Sequence, residues 1–205
     1  MARTKEFEPI EALDAAIDLF WRKGYEAASM RELLDAMGIG RGSFYDTFGD
    51  KHSLFLSALD RFQEVRAFWI EEALRGEGLG GIEEVFHRSL NGLYQYRPPR
   101  GCLLANSAVE LAPRDPEVAA RISAYIWRTE GAFQTALERA RDGGEIPSGS
   151  DPRALARFLV NTLHGLRVLA RAGADRKTLE DTVRVALGAL RCGVGTISVS
   201  GAPED

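Results

Sequence analysis

The chain has 205 residues, with 26 Lys/Arg against 30 Asp/Glu, a net charge of −4 and a hydrophobic fraction of 45%. That is the composition of an ordinary globular protein, long enough for one or two domains with a full core. There is no apolar run of about 18 residues, which excludes a membrane-spanning helix, and the two cysteines, Cys102 and Cys192, are too few for a disulfide framework.

Met1–Lys5 leads straight into charged residues, with no apolar segment of the kind a secretory signal needs, so a cytoplasmic protein is expected. Residues 1–8 read as a mobile polar arm. Pro9 suits the first turn of a helix. Ile10, Leu13, Ile17, Phe20 and Trp21 fall on one stripe at helical spacing, and Gly24 stops that helix after Lys23. Ser29 with Glu32 three residues on is a capping box, so a second helix starts there. Leu33, Leu34 and Met37 form its buried face. Gly38 ends it, because glycine adopts the left-handed cap conformation without a Cβ penalty. A third helix of about two turns follows from Gly40 or Arg41 to Phe48, with Arg41, Gly42 and Ser43 at its start and Phe44, Tyr45 and Phe48 behind them. Helix, glycine turn and second helix is the helix-turn-helix pattern, which reads the major groove from the start of the second helix.

Asp50 caps a long fourth helix, with Leu54, Leu59, Phe62, Val65 and Trp69 among its apolar positions, ending near Arg75 and Gly76. Glu77–Gly81 reads as a glycine-rich loop. Ile82–Tyr96 reads as a helix with Val85, Phe86, Leu90 and Leu93 inward, and Pro98-Pro99 breaks the chain. Leu103–Leu111 is a short apolar helix with Cys102 in its first turn. Asp115-Pro116 and Asp151-Pro152 each combine an N-cap with a helix-starting proline. They open helices to about Arg141 and about Arg171, and a last helix spans about Asp175 to Arg191. Residues 194–205 are Gly/Ser-rich and expected to be disordered. The fold class expected is all-α with about nine helices: a helix-turn-helix domain over 1–55 and a helical ligand-binding and dimerisation domain over 56–193.

The stretch Ala36–Lys51 resembles the N-terminal signature of TetR-type transcriptional regulators. The resemblance rests on glycine–aliphatic at the turn (Gly38-Ile39), aromatic–Tyr–x–x–Phe along the third helix (Phe44-Tyr45, Phe48) and Lys51 just after it. It covers residues 8–60 in detail; beyond that only length and helical pattern agree. Gly40 stands where the family often has a capping serine. The resemblance implies a DNA-binding regulator, most simply a repressor, on a near-palindromic double-stranded operator. It also implies a homodimer through the last two long helices, a small-molecule effector and no cofactor or metal.

Arg41 and Ser43 are the base-reading candidates, since arginine addresses guanine O6 and N7 together. Ser29, Tyr45 and Lys51 suit phosphates, Thr47 either role, and Arg31 adds positive charge. Residues 1–51 nonetheless hold seven Lys/Arg against ten Asp/Glu, a balance of −3 that fails a simple basic-domain test. Glu11, Asp14 and Asp18 share one flank of the first helix and are expected to face away from the phosphates. The last two long helices are apolar on more than one face (Leu155, Phe158, Leu159, Val160, Leu163, Leu166, Val168 and Leu169 in the first, Val183, Val185, Leu187 and Leu190 in the second), which fits a second burial in a subunit interface.

A pocket between the central helices is implied by the resemblance, with Phe62, Phe86, Leu90, Tyr94, Tyr125 and Phe133 as lining candidates and Asn106, His164 and Arg167 as polar ones. Plain core is the competing reading for the aromatics. Gly101–Leu111 is similar to a segment in a TetR subgroup that senses electrophiles and oxidants through a cysteine. A helix start beside Arg97 and Arg100 lowers a thiol pKa; a buried inert Cys102 is the competing reading. No hydrolase, Walker, zinc or Cys-x-x-Cys motif is present, and His52, His87 and His164 lack metal-ligand spacing. A dispersed-site all-α enzyme and a dimerisation module without a DNA role are the alternatives.

Overall fold

The structure is a computed structural model that describes residues 7–76 and 78–192. The described residues form nine α-helices and no strand: α1 (Pro9–Lys23), α2 (Met30–Met37), α3 (Arg41–Phe48), α4 (Lys51–Leu74), α5 (Gly78–Leu93), α6 (Leu103–Glu110), α7 (Pro116–Asp142), α8 (Pro152–Arg171) and α9 (Arg176–Cys192). Residues 1–6 of the arm expected over 1–8, and the tail expected over 194–205, lie outside the described residues, and Phe7 packs against the core.

Local chemistry sets the helix starts. Ser29 and Glu32 cap each other reciprocally at α2, and Gly38 closes that helix in the left-handed region at φ 65°. Asp50 accepts from the Ser53 N–H, Asp115 from those of Glu117 and Val118, and Asp151 from those of Arg153 and Ala154. Each such cap is worth about 1 kcal/mol.

The buried side chains form two clusters. One joins α1–α3, the first two-thirds of α4, α6 and the start of α7, through Phe20, Phe44, Phe55, Phe62, Leu103 and Tyr125. The other joins the end of α4 to α5, the rest of α7, α8 and α9, through Ile70, Phe86, Phe133, Leu159 and Leu187. The helix-turn-helix therefore shares its core with α6 and the N-terminal half of α7, as well as with α4. Polar contacts reinforce that joint. Glu110 accepts from the Tyr25 N–H (3.1 Å) and the Glu26 N–H (2.9 Å), and His52 Nε2 lies 2.7 Å from Asp115 Oδ2.

Four expectations need correction. Ile10 is exposed; α1 buries Ala12, Ala16, Leu19 and Phe20, whose small residues let it lie close on α2 and α4. Val65 is also exposed, because its neighbour Arg66 takes the inward place, with its guanidinium 5.1 Å from the Phe62 ring centroid. Gly78–Gly81 opens α5 and is not loop. Glu145 accepts from the Leu79 N–H at 3.0 Å, a tertiary cap that overrides glycine's low helix propensity. A Cβ on Gly81 would sit 2.4 Å from the Ala73 carbonyl oxygen, so glycine permits the close approach of α4 and α5. The helix ends at Leu93, short of Tyr96. Lastly, Cys102 is the extended N-cap residue of α6, one position before its first turn.

Candidate DNA-binding surface and sensing cluster

The outer face of α3 is built on Phe44, which is fully buried and has the Tyr45 and Phe48 rings at 5.3 and 6.0 Å. With Phe44 inward, Arg41, Gly42 and Tyr45 are exposed, and Ser43 and Thr47 half-buried. Gly40 caps α3 without a side-chain hydrogen bond, so the first backbone N–H groups of the helix stay free for an acceptor such as phosphate. Arg41 has no ion-pair partner among the described residues, whereas Arg31 lies 3.8 Å from Asp35. Lys51 lies over the Tyr25 ring at 4.4 Å. The Ser29 hydroxyl is engaged with Glu32; Lys23 beside that carboxyl, with the Ser29 donors, holds it down at about 2.

The acidic balance of this segment has a structural answer. Asp14 takes two bonds from Arg61, at 2.5 and 2.7 Å. Asp18 pairs with Arg22 and Arg100, Glu26 with Arg114, and Glu32 with Lys23. Three of these four acids draw a partner from outside residues 1–51. Arg61, Arg100 and Arg114 thus offset three of the segment's acids from outside it.

Of the sensing candidates, Cys102, Tyr125, His164 and Arg167 come together. Cys102 is buried and free; Cys192, at the end of α9, is free and exposed. Burial pushes the Cys102 thiol up. The His164 imidazole, the Arg167 guanidinium and the Ala105 N–H outweigh it and bring the thiol to about 6, so it is a thiolate at neutral pH. The His164 ring meets Tyr125 edge-on at 6.5 Å. Burial, then the Arg167 charge, pull the Arg66 guanidinium below its ordinary range. Asn106 donates to the Arg100 carbonyl at 3.3 Å, alongside Arg171. Phe62 shares the Cys102 core cluster, but Phe86 packs on Phe133 in the other one. Leu90 lines a groove of about 580 Å³ between α5 and α9, and Tyr94 stands by Arg176. Arg66, Trp21 and Ser89, which sequence reasoning missed, border this region.

On the far side, Phe158, Val168 and Leu169 of α8 and Val185 of α9 are exposed while Leu155, Leu159, Leu163, Val183 and Leu187 fill the core. Gly165 on α8 and Gly188 on α9 have open space at their Cβ positions.

Residues 12–58 match the family model described as "Bacterial regulatory proteins, tetR family", and residues 78–186 the one described as "Tetracyclin repressor-like, C-terminal domain". The chain belongs to the TetR family. This TetR regulator is 37% identical over 193 residues to the HTH-type transcriptional regulator YezE of Bacillus subtilis (strain 168), covering 93% of the chain and 100% of that protein. It is 31% identical to the HTH-type transcriptional repressor ComR of Escherichia coli (strain K12), covering 92% and 90% respectively. A solved structure of a cysteine mutant of the TetR family regulator CifR, complexed with 26bp double-strand operator DNA, superposes with a TM-score of 0.82 at 31% identity, over 91% of this chain and 99% of that one. The TetR chain is a DNA-binding transcriptional regulator, and none of its described helices is long and apolar enough to cross a membrane.

Proposed function

We propose that the protein is a homodimeric repressor that leaves a near-palindromic operator when a small molecule or an electrophile engages the cluster around Cys102. Residues 1–55 carry DNA contact and residues 56–193 carry effector and dimer roles. Arg41 and Ser43 read bases, and Tyr45, Lys51, Arg31, Thr47, Gly42 and the free N–H groups of α3 position phosphates. The exposed apolar positions of α8 and α9 support dimerisation, since they need a partner surface that the monomer does not supply. A twofold pair presents two α3 helices to successive major grooves, hence the palindrome.

The observation that carries the effector reading is the placement of the buried free Cys102 at the start of α6, beside His164 and Arg167 and next to the loop that pairs with α1. Addition of the thiolate to an electrophilic carbon forms an S–C bond and removes the negative charge that faces Arg66 and Arg167; the carbanion formed takes a proton from water. The two guanidiniums then repel at short range, and the strain falls on the 97–101 loop and its Arg100–Asp18 pair. The effector acts only through its different affinity for the bound and released poses.

The test uses full-length protein on its selected operator, treated with N-ethylmaleimide. Wild type is released and Cys102→Ser binds DNA as well as wild type but is not released. Release of the Cys102→Ser variant by the same treatment would remove Cys102 as the sensor.

A further inference from the structure

Three buried polar atoms converge on one small cavity between α1, α4, α5, α8 and the 97–101 loop. The indole Nε1 of Trp21, the hydroxyl of Ser89 and Nη2 of Arg167 are closed to solvent and have no hydrogen-bond partner among the described residues. All three side chains line a cavity of about 20 Å³, together with Arg66 and Arg100. Ser89 and Arg167 are themselves only 7% and 5% exposed. Indole and guanidinium donate only, and a hydroxyl can donate. A buried donor left unpaired costs about 1–3 kcal/mol, so three at one point call for an acceptor.

The charge points the same way. Neither Arg66 nor Arg167 has an ion pair among the described residues, and burial and then the Arg167 charge disfavour the charged form of Arg66. A water molecule in the cavity can accept from two of the three donors and brings no charge. A carboxylate can accept from all three and, beside the single Cys102 thiolate, balances the second of the two guanidiniums. The cavity holds a group of about that size. It adjoins a cleft of about 440 Å³ that shares Trp21, Arg66, Gly92 and Tyr96, where the rings of Trp21, Trp69 and Tyr96 offer apolar faces among the polar Arg88, Asn91 and Gln95.

We propose that this cavity takes the carboxylate of a small organic acid whose apolar body lies in the adjoining cleft, and that such acids are the effector class. The proposal rests on the effector-responsive regulator described above. Its route to DNA is short. Trp21 belongs to α1, and Arg100 is the partner of Asp18 on the same helix. A carboxylate drawing on Trp21 and Arg100 competes with Asp18 and loosens α1 from the rest of the bundle, which weakens operator binding.

The experiment titrates full-length protein with benzoate, and with benzamide as a neutral molecule of the same shape, by isothermal calorimetry. Benzoate is expected to bind once per chain, at least tenfold tighter than benzamide, and to lower operator affinity at least fivefold at saturation. Arg167→Gln should weaken benzoate at least tenfold; Ser89→Ala, a smaller change that keeps the fold if the first does not, should weaken it severalfold. No benzoate binding at millimolar concentration, equal binding of benzamide, or full affinity in Ser89→Ala would overturn the site. Binding without any change in operator affinity would overturn the effector role. Operator binding by a protein that ignores benzoate would remove the acid site and leave the regulator intact; benzoate binding by a protein that selects no operator would do the reverse.

Discussion

Cys102 shows how opposing effects on a single residue are decided by its neighbours. Burial alone would keep the thiol protonated, yet His164 and Arg167 bring it to about 6. An acid group with a depressed folded pKa stabilises the fold fully above its unfolded value, and the contribution is lost as pH falls through the folded value. The unfolded thiol titrates near ~8.5, so the thiolate contributes on the order of 1 kcal/mol at pH 7 and almost nothing below about pH 6. Urea unfolding of wild type and Cys102→Ser from about pH 5 to about pH 9 should show wild type gaining on the variant as pH rises; a pH-independent difference would contradict the assignment. Thiolate absorbance gives a second check, with a midpoint near 6 in wild type and a higher one in Arg167→Gln. At the DNA surface, Arg41→Ala should weaken specific binding by about 1–3 kcal/mol and relax preference at one base step. An unchanged operator preference in a selection would remove Arg41 from the readers. Cys102 and Arg41 were both visible in the sequence. Arg66 and Ser89 were not, because a charged residue or serine on a helix reads as solvent-facing until its neighbours are known; Trp21 was read only as part of the apolar stripe of α1. Arg66 even displaced the expected inward residue, Val65.

The elements were legible wherever a cap declared them. Ser29–Glu32, Asp50, Asp115-Pro116 and Asp151-Pro152 start helices where expected, since each acts on backbone groups within three residues. The start of α5 was misread because its cap, Glu145, comes from 66 residues away in sequence. Gly81 then reads as a packing requirement: Gly81→Ala would press a methyl group against the Ala73 carbonyl and should destabilise the protein by about 1–3 kcal/mol, measured by chemical unfolding. An unchanged midpoint would mean that α4 and α5 can part without cost. The outer face of α8 makes the complementary case. Leu169 is exposed in the monomer, so Leu169→Glu leaves the core intact. Sedimentation should find this variant monomeric with an unaltered helical circular dichroism spectrum, and its operator affinity should fall at least tenfold. A dimeric Leu169→Glu variant would place the interface elsewhere.

For the molecule as a whole, the joint between its two ends is broader than a single connecting helix. The long α4 contributes to both core clusters. The structure adds α6 and the 97–101 loop, which bind α1 and the segment after it through Glu110, Arg100 and the shared core. Such contacts join residues 80 or more positions apart, so no local pattern announces them. The same arrangement bears on the acidic balance of residues 1–51: Arg61, Arg100 and Arg114 pair with Asp14, Asp18 and Glu26 from outside that segment. The protein should therefore show a modest salt dependence for a DNA-binding protein, set by the few cations left on the α3 face. The most direct test of the account is selection of genomic fragments by the purified protein at physiological salt, followed by sedimentation of the protein with the recovered site. The account predicts one near-palindromic sequence bound by a dimer with the α3 positions at its half-sites. Recovery of no sequence above non-specific binding, or a site bound by the monomer, would contradict it.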